Sequence, residues 1–187
     1  MTAPRLIFLA GPNGAGKTTY YRTFLRASGL PFVNADELAR TLDLPFPAVT
    51  AFTDGAREVY LQSRESFITE TVFSDPVGAK LSFLRRALAA GYEVELHFIG
   101  ISSPLLSEAR VIQRVTQGGH DVPTDRLERR FRQSVSNLEA ALAFVPDVRV
   151  FDNSSTTAPY QHVLRVEKGI VTFRAQPAPP WLPAFGS

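Results

Sequence analysis

The chain has 187 residues, of which 44% are hydrophobic and 20% are charged, and its formal net charge is +2 at pH 7. This length predicts one domain, the composition excludes a disordered chain, and the net charge is too small to indicate nucleic-acid binding. Cysteine is absent, no stretch approaches about 18 apolar residues, and the N-terminus lacks a signal-peptide pattern, so we expect a soluble, cytoplasmic protein without disulfides or membrane contact.

Short apolar runs alternate with amphipathic stretches, which predicts strands alternating with helices. The predicted strands cover residues 6–10, 31–35, 66–72, 93–101 and 147–151. The predicted helices cover residues 17–27, 47–64, 77–90, 104–116 and 125–144, and a hairpin pairs residues 163–167 with 170–174. In the second of these helices, we expect one face to carry Val49, Phe52, Ala56, Val59 and Tyr60.

This alternation predicts an α/β fold, with a mostly parallel sheet between helices on both faces and a C-terminal β-hairpin. Residues 1–175 are expected to form the single domain. Residues 176–187 contain four prolines and are expected to lie on the surface or fray. Because ligands bind beyond the carboxyl ends of parallel strands, we expect the functional residues to lie at those strand ends.

A glycine-rich loop at residues 11–18 matches G-x-x-x-x-G-K-[ST] and lies between a predicted strand and a predicted helix. The glycines let backbone N–H groups converge on phosphates, and the following helix adds the positive end of its dipole. Lys17 is expected to reach the β- and γ-phosphates of ATP or GTP, and the Thr18 hydroxyl is expected to bind Mg²⁺. The nucleotide-binding residues predicted by this motif are Gly11, Pro12, Asn13, Gly14, Ala15, Gly16, Lys17, Thr18 and Thr19.

Other features narrow the class of this P-loop protein. No asparagine is followed by lysine, so the base-reading motif of a GTPase is missing. A mechanical ATPase usually carries an acid at the carboxyl end of an apolar strand, and the strand at residues 93–101 has none there. These features favour a small kinase whose acceptor is a hydroxyl group, with the nucleotide-kinase-like P-loop NTPase fold, a three-layer sandwich.

Carboxylates follow two of the predicted strands. Asp36 comes after the second strand, where it could accept the proton of the acceptor hydroxyl. Alternatively, Asp36 caps a helix at residues 37–42. Glu70 and Thr71 end the third strand and suit binding of sugar or nucleoside hydroxyls, although an exposed strand end is an equal interpretation.

Arginines flank the turn-rich loop at residues 117–124, which suggests a lid at about residues 108–132 that closes over transferring phosphate. Acidic neighbours at Glu108, Asp121, Asp125 and Glu128 could instead hold several of them in surface ion pairs. His120 in the loop could contact the substrate or be merely structural. The flanking arginines are Arg110, Arg114, Arg126, Arg129, Arg130 and Arg132.

Four segments together resemble the zeta-toxin-like P-loop kinases: AGPNGAGKTT, the N-A-D after the second strand, the E-T after the third, and RVIQRVTQGGHDVPTDRLERRFRQSVSNL. The resemblance covers about residues 6–153. It implies an ATP- or GTP-dependent kinase whose acceptor in the best-known members is UDP-N-acetylglucosamine, and it raises the question of an antitoxin partner.

By motif match, the resemblance makes Asp36 the base that activates the acceptor hydroxyl. It makes Glu70 and Thr71 the residues that hold the acceptor sugar, and it makes Arg114 and one of Arg129 or Arg130 the lid arginines. Two alternatives stay open from the sequence: an antibiotic or other small-molecule phosphotransferase of the same fold, and a nucleotide-binding switch without acceptor chemistry.

Overall fold

The structure is a computed structural model that describes residues 2–42, 46–115 and 124–184. Within helices it leaves the side chains of residues 36, 40–42, 46–47, 114–115 and 124–125 undescribed.

Within these described ranges, seven strands form one sheet in the order β2-β3-β1-β4-β5-β6-β7. The first five strands run parallel, and the last two pair antiparallel as the predicted hairpin. The α/β class with a mostly parallel sheet is therefore confirmed. The strands are β1 (Arg5–Ala10), β2 (Phe32–Val33), β3 (Phe67–Thr71), β4 (Glu93–Gly100), β5 (Asp147–Asp152), β6 (Gln161–Glu167) and β7 (Ile170–Arg174).

In the described part of the chain, six α-helices connect or flank these strands. The helix predicted at residues 17–27 is α-helical only over its first four residues, continues as a π-helix (Tyr21–Leu25) and ends in a 3-10 turn (Arg26–Ser28). The α-helices are α1 (Lys17–Tyr20), α2 (Ala35–Leu42), α3 (Phe46–Ser63), α4 (Ala79–Ala89), α5 (Pro104–Val115) and α6 (Thr124–Leu142). None of the described helices is long and apolar enough to cross a membrane.

Helix α2 begins earlier than the sequence indicated, at Ala35. The side chain of Asn34 caps it, because Asn34 Oδ1 accepts a hydrogen bond of 3.0 Å from the backbone N–H of Glu37. Asp36 lies inside the first turn of the helix, so the interpretation of Asp36 as its cap is wrong.

The buried face of α3 agrees with the predicted one in part. Val49 is fully buried, and Ala56 and Tyr60 pack against the core, but Phe52 and Val59 are 55% and 62% exposed. The buried residues that follow Val49 at a spacing of four are Thr53, Arg57 and Leu61. A polar stripe faces inward here because Arg57 and Thr53 find hydrogen-bond partners, as buried polar groups require.

The core lies on both faces of β1 and β4. Leu6, Phe8, Leu96 and Phe98 are fully buried on one face, and Leu9 and Ile99 are fully buried on the other. Two residues of the tail contribute to this core, whereas Gln176, Pro177, Pro180 and Ala184 lie on the surface as expected. Trp181 and Leu182 are only 8% and 6% exposed, and the Trp181 ring packs against Gly100 at the end of β4. The tail folds back because these apolar side chains gain more by burial than by contact with water.

Candidate active site at the carboxyl ends of the parallel strands

The glycine-rich loop joins the end of β1 to the start of α1 and passes very close to neighbouring segments. Gly11 has φ 141°, and a Cβ atom there would lie 2.1 Å from the carbonyl oxygen of Ile99. Gly16 has φ 89°, and a Cβ atom there would lie 2.6 Å from Asn153 Nδ2. Both backbone conformation and space therefore require glycine at these two positions.

Side chains from distant segments hold the carbonyl groups of this loop. Asn153 Nδ2 donates to the Ala15 carbonyl at 2.9 Å, Tyr160 OH donates to the Gly16 carbonyl at 2.9 Å, and Ser107 Oγ donates to the Asn13 carbonyl at 2.7 Å. In a trans peptide the N–H points opposite to the C=O. The amides that follow these carbonyls, at residues 14, 16 and 17, therefore point away from the anchors, as a phosphate cradle requires.

The Glu70 carboxylate faces the loop from the end of β3. Its Oε2 accepts hydrogen bonds from Thr18 Oγ1 at 3.1 Å and from Asn34 Nδ2 at 2.7 Å, and its Oε1 lies 4.0 Å from Lys17 Nζ. Lys17 is 7% exposed and also donates to the Pro12 carbonyl at 3.0 Å. Parallel pairing of β1 with β3 produces this arrangement, since Leu9 and Glu70 are register partners.

A cleft of about 860 Å³ opens in front of the loop and brings most of the predicted residues together. The predicted residues that line it are Asn13, Gly14, Gly16, Lys17, Thr18, Thr19, Glu70, Thr71, Arg129 and Arg130. Gly11, Pro12 and Ala15 are buried behind its wall. Several other residues line the cleft although no sequence motif marks them as functional: Thr50, Thr53, Arg57, Val72, Phe73, Lys80 and Gln133.

Three arginines from the first turns of α6 form one cationic wall of the cleft: Arg126, Arg129 and Arg130. Burial lowers the pKa of Arg130, and the neighbouring charges of Arg126 and Arg129 lower it further. No ion pair with any other described residue neutralises the three. Mutually repelling guanidinium groups at a cleft are arranged to bind an anion.

Two of the other flanking arginines, Arg110 and Arg132, have structural partners. Arg110 donates to the Gly14 carbonyl at 3.5 Å and to the Ser154 carbonyl at 3.3 Å, so it ties α5 to the glycine-rich loop. Arg132 is largely exposed and pairs with Glu128 at 2.7 Å. Surface pairing, the alternative interpretation of the arginines, therefore holds for Arg132.

Three predicted site residues lack a described side chain. Asp36 belongs to α2 and Arg114 to α5, but their side chains are not described, and His120 falls in the undescribed segment 116–123. Their roles stay predictions. The backbone neighbours of Asp36 are informative, because Asn34 and Ala35 both line the cleft.

The described residues include no group of three or more His, Asp or Glu side chains that could hold a metal ion alone. Thr18 and Glu70 nevertheless present two oxygen ligands 3.1 Å apart beside the phosphate cradle. Magnesium keeps several waters and binds through few protein oxygens together with substrate phosphates. The donor set therefore fits a magnesium–nucleotide complex.

Comparisons with known proteins agree with this geometry. A family model described as Zeta toxin matches residues 33–164. A Haemophilus influenzae protein is 26% identical over 132 residues, which cover 68% of this chain and 92% of that protein.

Among solved structures, the AvrRxo1-ORF1:ORF2 complex superposes with a TM-score of 0.71 at 19% identity over 90% of this chain. The PezAT toxin–antitoxin system of Streptococcus pneumoniae superposes with a TM-score of 0.61 at 18% identity, over 81% of this chain and 69% of that one. This chain spans only 60% of the AvrRxo1 chain that it matches. At these identities the structures show a shared fold.

Proposed function

The chain belongs to the zeta toxin family of P-loop kinases, and from this premise we propose that it transfers the γ-phosphoryl group of ATP or GTP to a hydroxyl group of a nucleotide sugar. One observation carries the proposal: a single cleft joins the glycine-rich loop to three arginines of α6, with Glu70 between Lys17 and Thr18. UDP-N-acetylglucosamine is the acceptor that we propose to test first.

The half of the cleft beside the loop suits the nucleotide phosphates. The amides at residues 14, 16 and 17 and the ammonium of Lys17 would bind the phosphate oxygens. Thr18 and Glu70 would hold magnesium, which when bound neutralises charge on the β- and γ-phosphates. We propose this role for Glu70 in place of the acceptor contact that the sequence predicted, because its carboxylate faces Thr18 and Lys17. An AvrRxo1-ORF1:ORF2 structure with ATP, similar in fold with a TM-score of 0.69, supports nucleotide binding by this architecture.

The opposite half suits an acceptor with hydroxyl groups. Thr71, Ser74 and Asp75 offer hydroxyl and carboxylate groups along the wall, and the volume of about 860 Å³ exceeds the need of a triphosphate alone. We propose that Asp36, whose neighbours Asn34 and Ala35 line the wall, takes the proton of the attacking hydroxyl. His120 is proposed to contact the acceptor from the loop.

The arginine wall suits the charge that spreads over the equatorial oxygens during transfer. Arg129 and Arg130 already line the cleft, and we propose that Arg114 joins them from α5. Because the helices α5 and α6 pack together, closure would bring the arginines of both onto the γ-phosphate.

A protein partner is the remaining part of the proposal. The AvrRxo1 structures are complexes of ORF1 with ORF2, and PezAT is a toxin–antitoxin system. We propose that this chain acts in the cytoplasm and is restrained there by an antitoxin protein.

The test is a transfer assay. The purified protein is incubated with ATP or GTP, Mg²⁺ and a panel of nucleotide sugars, and products are analysed by mass spectrometry. We expect one acceptor to gain about 80 Da, the mass of one phosphoryl group. Lys17→Ala should abolish the product, because the variant lacks the ammonium at the β- and γ-phosphates. Lys168→Asn, which removes an exposed ammonium at the hairpin turn, should leave it unchanged.

Other outcomes point elsewhere. A product that forms only with an antibiotic or a simple sugar would favour a different phosphotransferase of this fold. Slow nucleotide hydrolysis that no acceptor accelerates would favour a nucleotide-binding switch and contradict the proposal.

A further inference from the structure

Arg57 is a buried cation that the proposed transfer does not use directly. It lies on the inner face of α3 and is 4% exposed. Its guanidinium group donates through all three nitrogens: Nε to Thr69 Oγ1 at 2.7 Å, one terminal nitrogen to the Glu70 carbonyl at 2.9 Å, and the other to the Asp54 carboxylate. The guanidinium therefore holds two consecutive residues at the end of β3.

These contacts extend to the neighbouring strand. Thr69 Oγ1 donates to the Val33 carbonyl at 3.2 Å, so the hydroxyl links the end of β3 to the end of β2. Asn34 follows Val33 directly and donates to the Glu70 carboxylate at 2.7 Å. Arg57 thus holds the main chain of Glu70 directly and, through Thr69, the end of β2 that leads to Asn34.

Burial of this guanidinium carries an electrostatic cost. Burial lowers the pKa of Arg57, and the Asp54 carboxylate acts in the opposite direction. Asp54 also pairs with Lys80 of α4, and these cations lower the pKa of Asp54 against the effect of burial. An apolar side chain of similar volume often stabilises a core as well as a buried ion pair does. Packing alone therefore does not account for an arginine at this position.

We propose that Arg57 is a positioning residue that fixes Glu70 against Thr18 and Lys17 and thereby strengthens magnesium-dependent nucleotide binding. Only a planar fork with donors on three sides reaches Thr69, Glu70 and Asp54 at once. The inference rests on the proposed function in one respect, namely that Thr18 and Glu70 face the magnesium–nucleotide complex.

A double-mutant cycle tests this role through nucleotide affinity, without any acceptor. ATP affinity is measured by calorimetry with Mg²⁺ and with EDTA, for the wild type, Glu70→Gln, Arg57→Met and the double variant. Removing a residue that orients a metal-site group typically costs about 10- to 100-fold in affinity. Mg²⁺ should raise the ATP affinity of each single variant about tenfold less than it raises that of the wild type. The double variant should lose no more of this Mg²⁺-dependent increase in ATP affinity than Glu70→Gln alone.

A merely structural role gives a different pattern. In that case the losses of Arg57→Met and Glu70→Gln multiply in the double variant, which overturns the proposal. Arg86→Met is the matched control, because Arg86 also pairs with an acidic residue of α3, Glu58, but lies half exposed and outside the cleft. It should leave the Mg²⁺-dependent gain unchanged.

Arg57→Lys separates charge from geometry and serves for the same cycle if Arg57→Met does not fold. Lysine keeps the charge but cannot reach three acceptors, so we expect Arg57→Lys to lose as much Mg²⁺-dependent ATP affinity as Arg57→Met. Wild-type affinity in Arg57→Lys would show that the planar guanidinium group is not needed. If the effects of Arg57 and Glu70 on ATP affinity are coupled but no acceptor is phosphorylated, this inference stands and the proposed function is rejected. If an acceptor is phosphorylated but the losses in ATP affinity multiply, the proposed function stands and this inference is rejected.

Discussion

The proposed chemistry depends at the residue scale on Asp36. Because α2 begins at Ala35 and Asn34 supplies the cap, Asp36 has no role as the helix cap. We expect Asp36→Asn to retain ATP binding and to lower the transfer rate by at least about 10²-fold, the usual contribution of a general base. Binding is measured by calorimetry and transfer by product mass.

A neighbouring carboxylate provides the control for Asp36. Glu37 is the next residue of α2 and is exposed. Glu37→Gln should transfer at nearly the wild-type rate. Equal rates for Asp36→Asn and the wild type would remove Asp36 from the mechanism.

At the element scale, β4 carries a buried titratable network beneath α1. His97 is 2% exposed, its Nδ1 lies 3.2 Å from Tyr20 OH, and its Nε2 lies 3.4 Å from Glu95 Oε2. The neutral ring with its proton on Nε2 satisfies both contacts. Burial lowers the pKa of His97 below its ordinary value of 6.5, with Arg149 and Arg5 acting in the same direction and Glu95 against them.

The sign of the resulting pH dependence follows from this lowered pKa. Between the lowered pKa of the folded chain and about pH 6.5, the unfolded chain binds a proton at His97 that the folded chain does not. The free energy of unfolding should therefore fall with decreasing pH, by up to about 1.4 kcal/mol per unit. Urea unfolding at pH 5, 6 and 7 measures this slope.

His97→Gln should flatten the slope between pH 7 and pH 5. His162 has a pKa that burial also lowers, but it is less buried, so His162→Gln should change the slope less. An unchanged slope in His97→Gln would show that His97 titrates alike in both states.

The elements themselves show what the sequence could predict. The conformation of the glycine-rich loop was predictable because its motif lies within eight consecutive residues. The hairpin of β6 and β7 was equally local. The polar part of the buried face of α3 was not predictable from apolar spacing, because the burial of Arg57 depends on acceptors at Thr69 and Glu70 in a later strand.

Long-range contacts explain the other omissions at the site. Asn153 and Tyr160 anchor the loop from positions 138 and 144 residues away in the chain. No local pattern marks an asparagine or a tyrosine for such a role. The zeta-toxin-like resemblance, in contrast, was correct, because its segments lie on both sides of the cleft and the family match covers residues 33–164.

At the scale of the whole molecule, the tail supports the strand that backs the loop. Trp181 packs on Gly100, the last residue of β4, and the carbonyl of the preceding Ile99 lies against Gly11. The Gly100 carbonyl also accepts a hydrogen bond of 2.9 Å from the backbone N–H of Asn153, which anchors the loop. The tail, the end of β4 and the phosphate cradle therefore pack as consecutive layers.

A single methyl group should separate these layers. In Gly100→Ala the new Cβ would lie 2.1 Å from Trp181 Cη2, so the indole must leave its site. Trp181 is the only tryptophan of the chain and reports this directly. We expect its fluorescence emission to shift to the red, the melting temperature to fall, and ATP affinity to weaken as the end of β4 loosens behind Gly11.

Gly55→Ala is the matched control: a Cβ at Gly55 meets nothing within 4 Å, and alanine in a helix stabilises by about 0.5–1 kcal/mol. A Gly100→Ala protein with unshifted emission and wild-type ATP affinity would show that the tail is independent of the cradle.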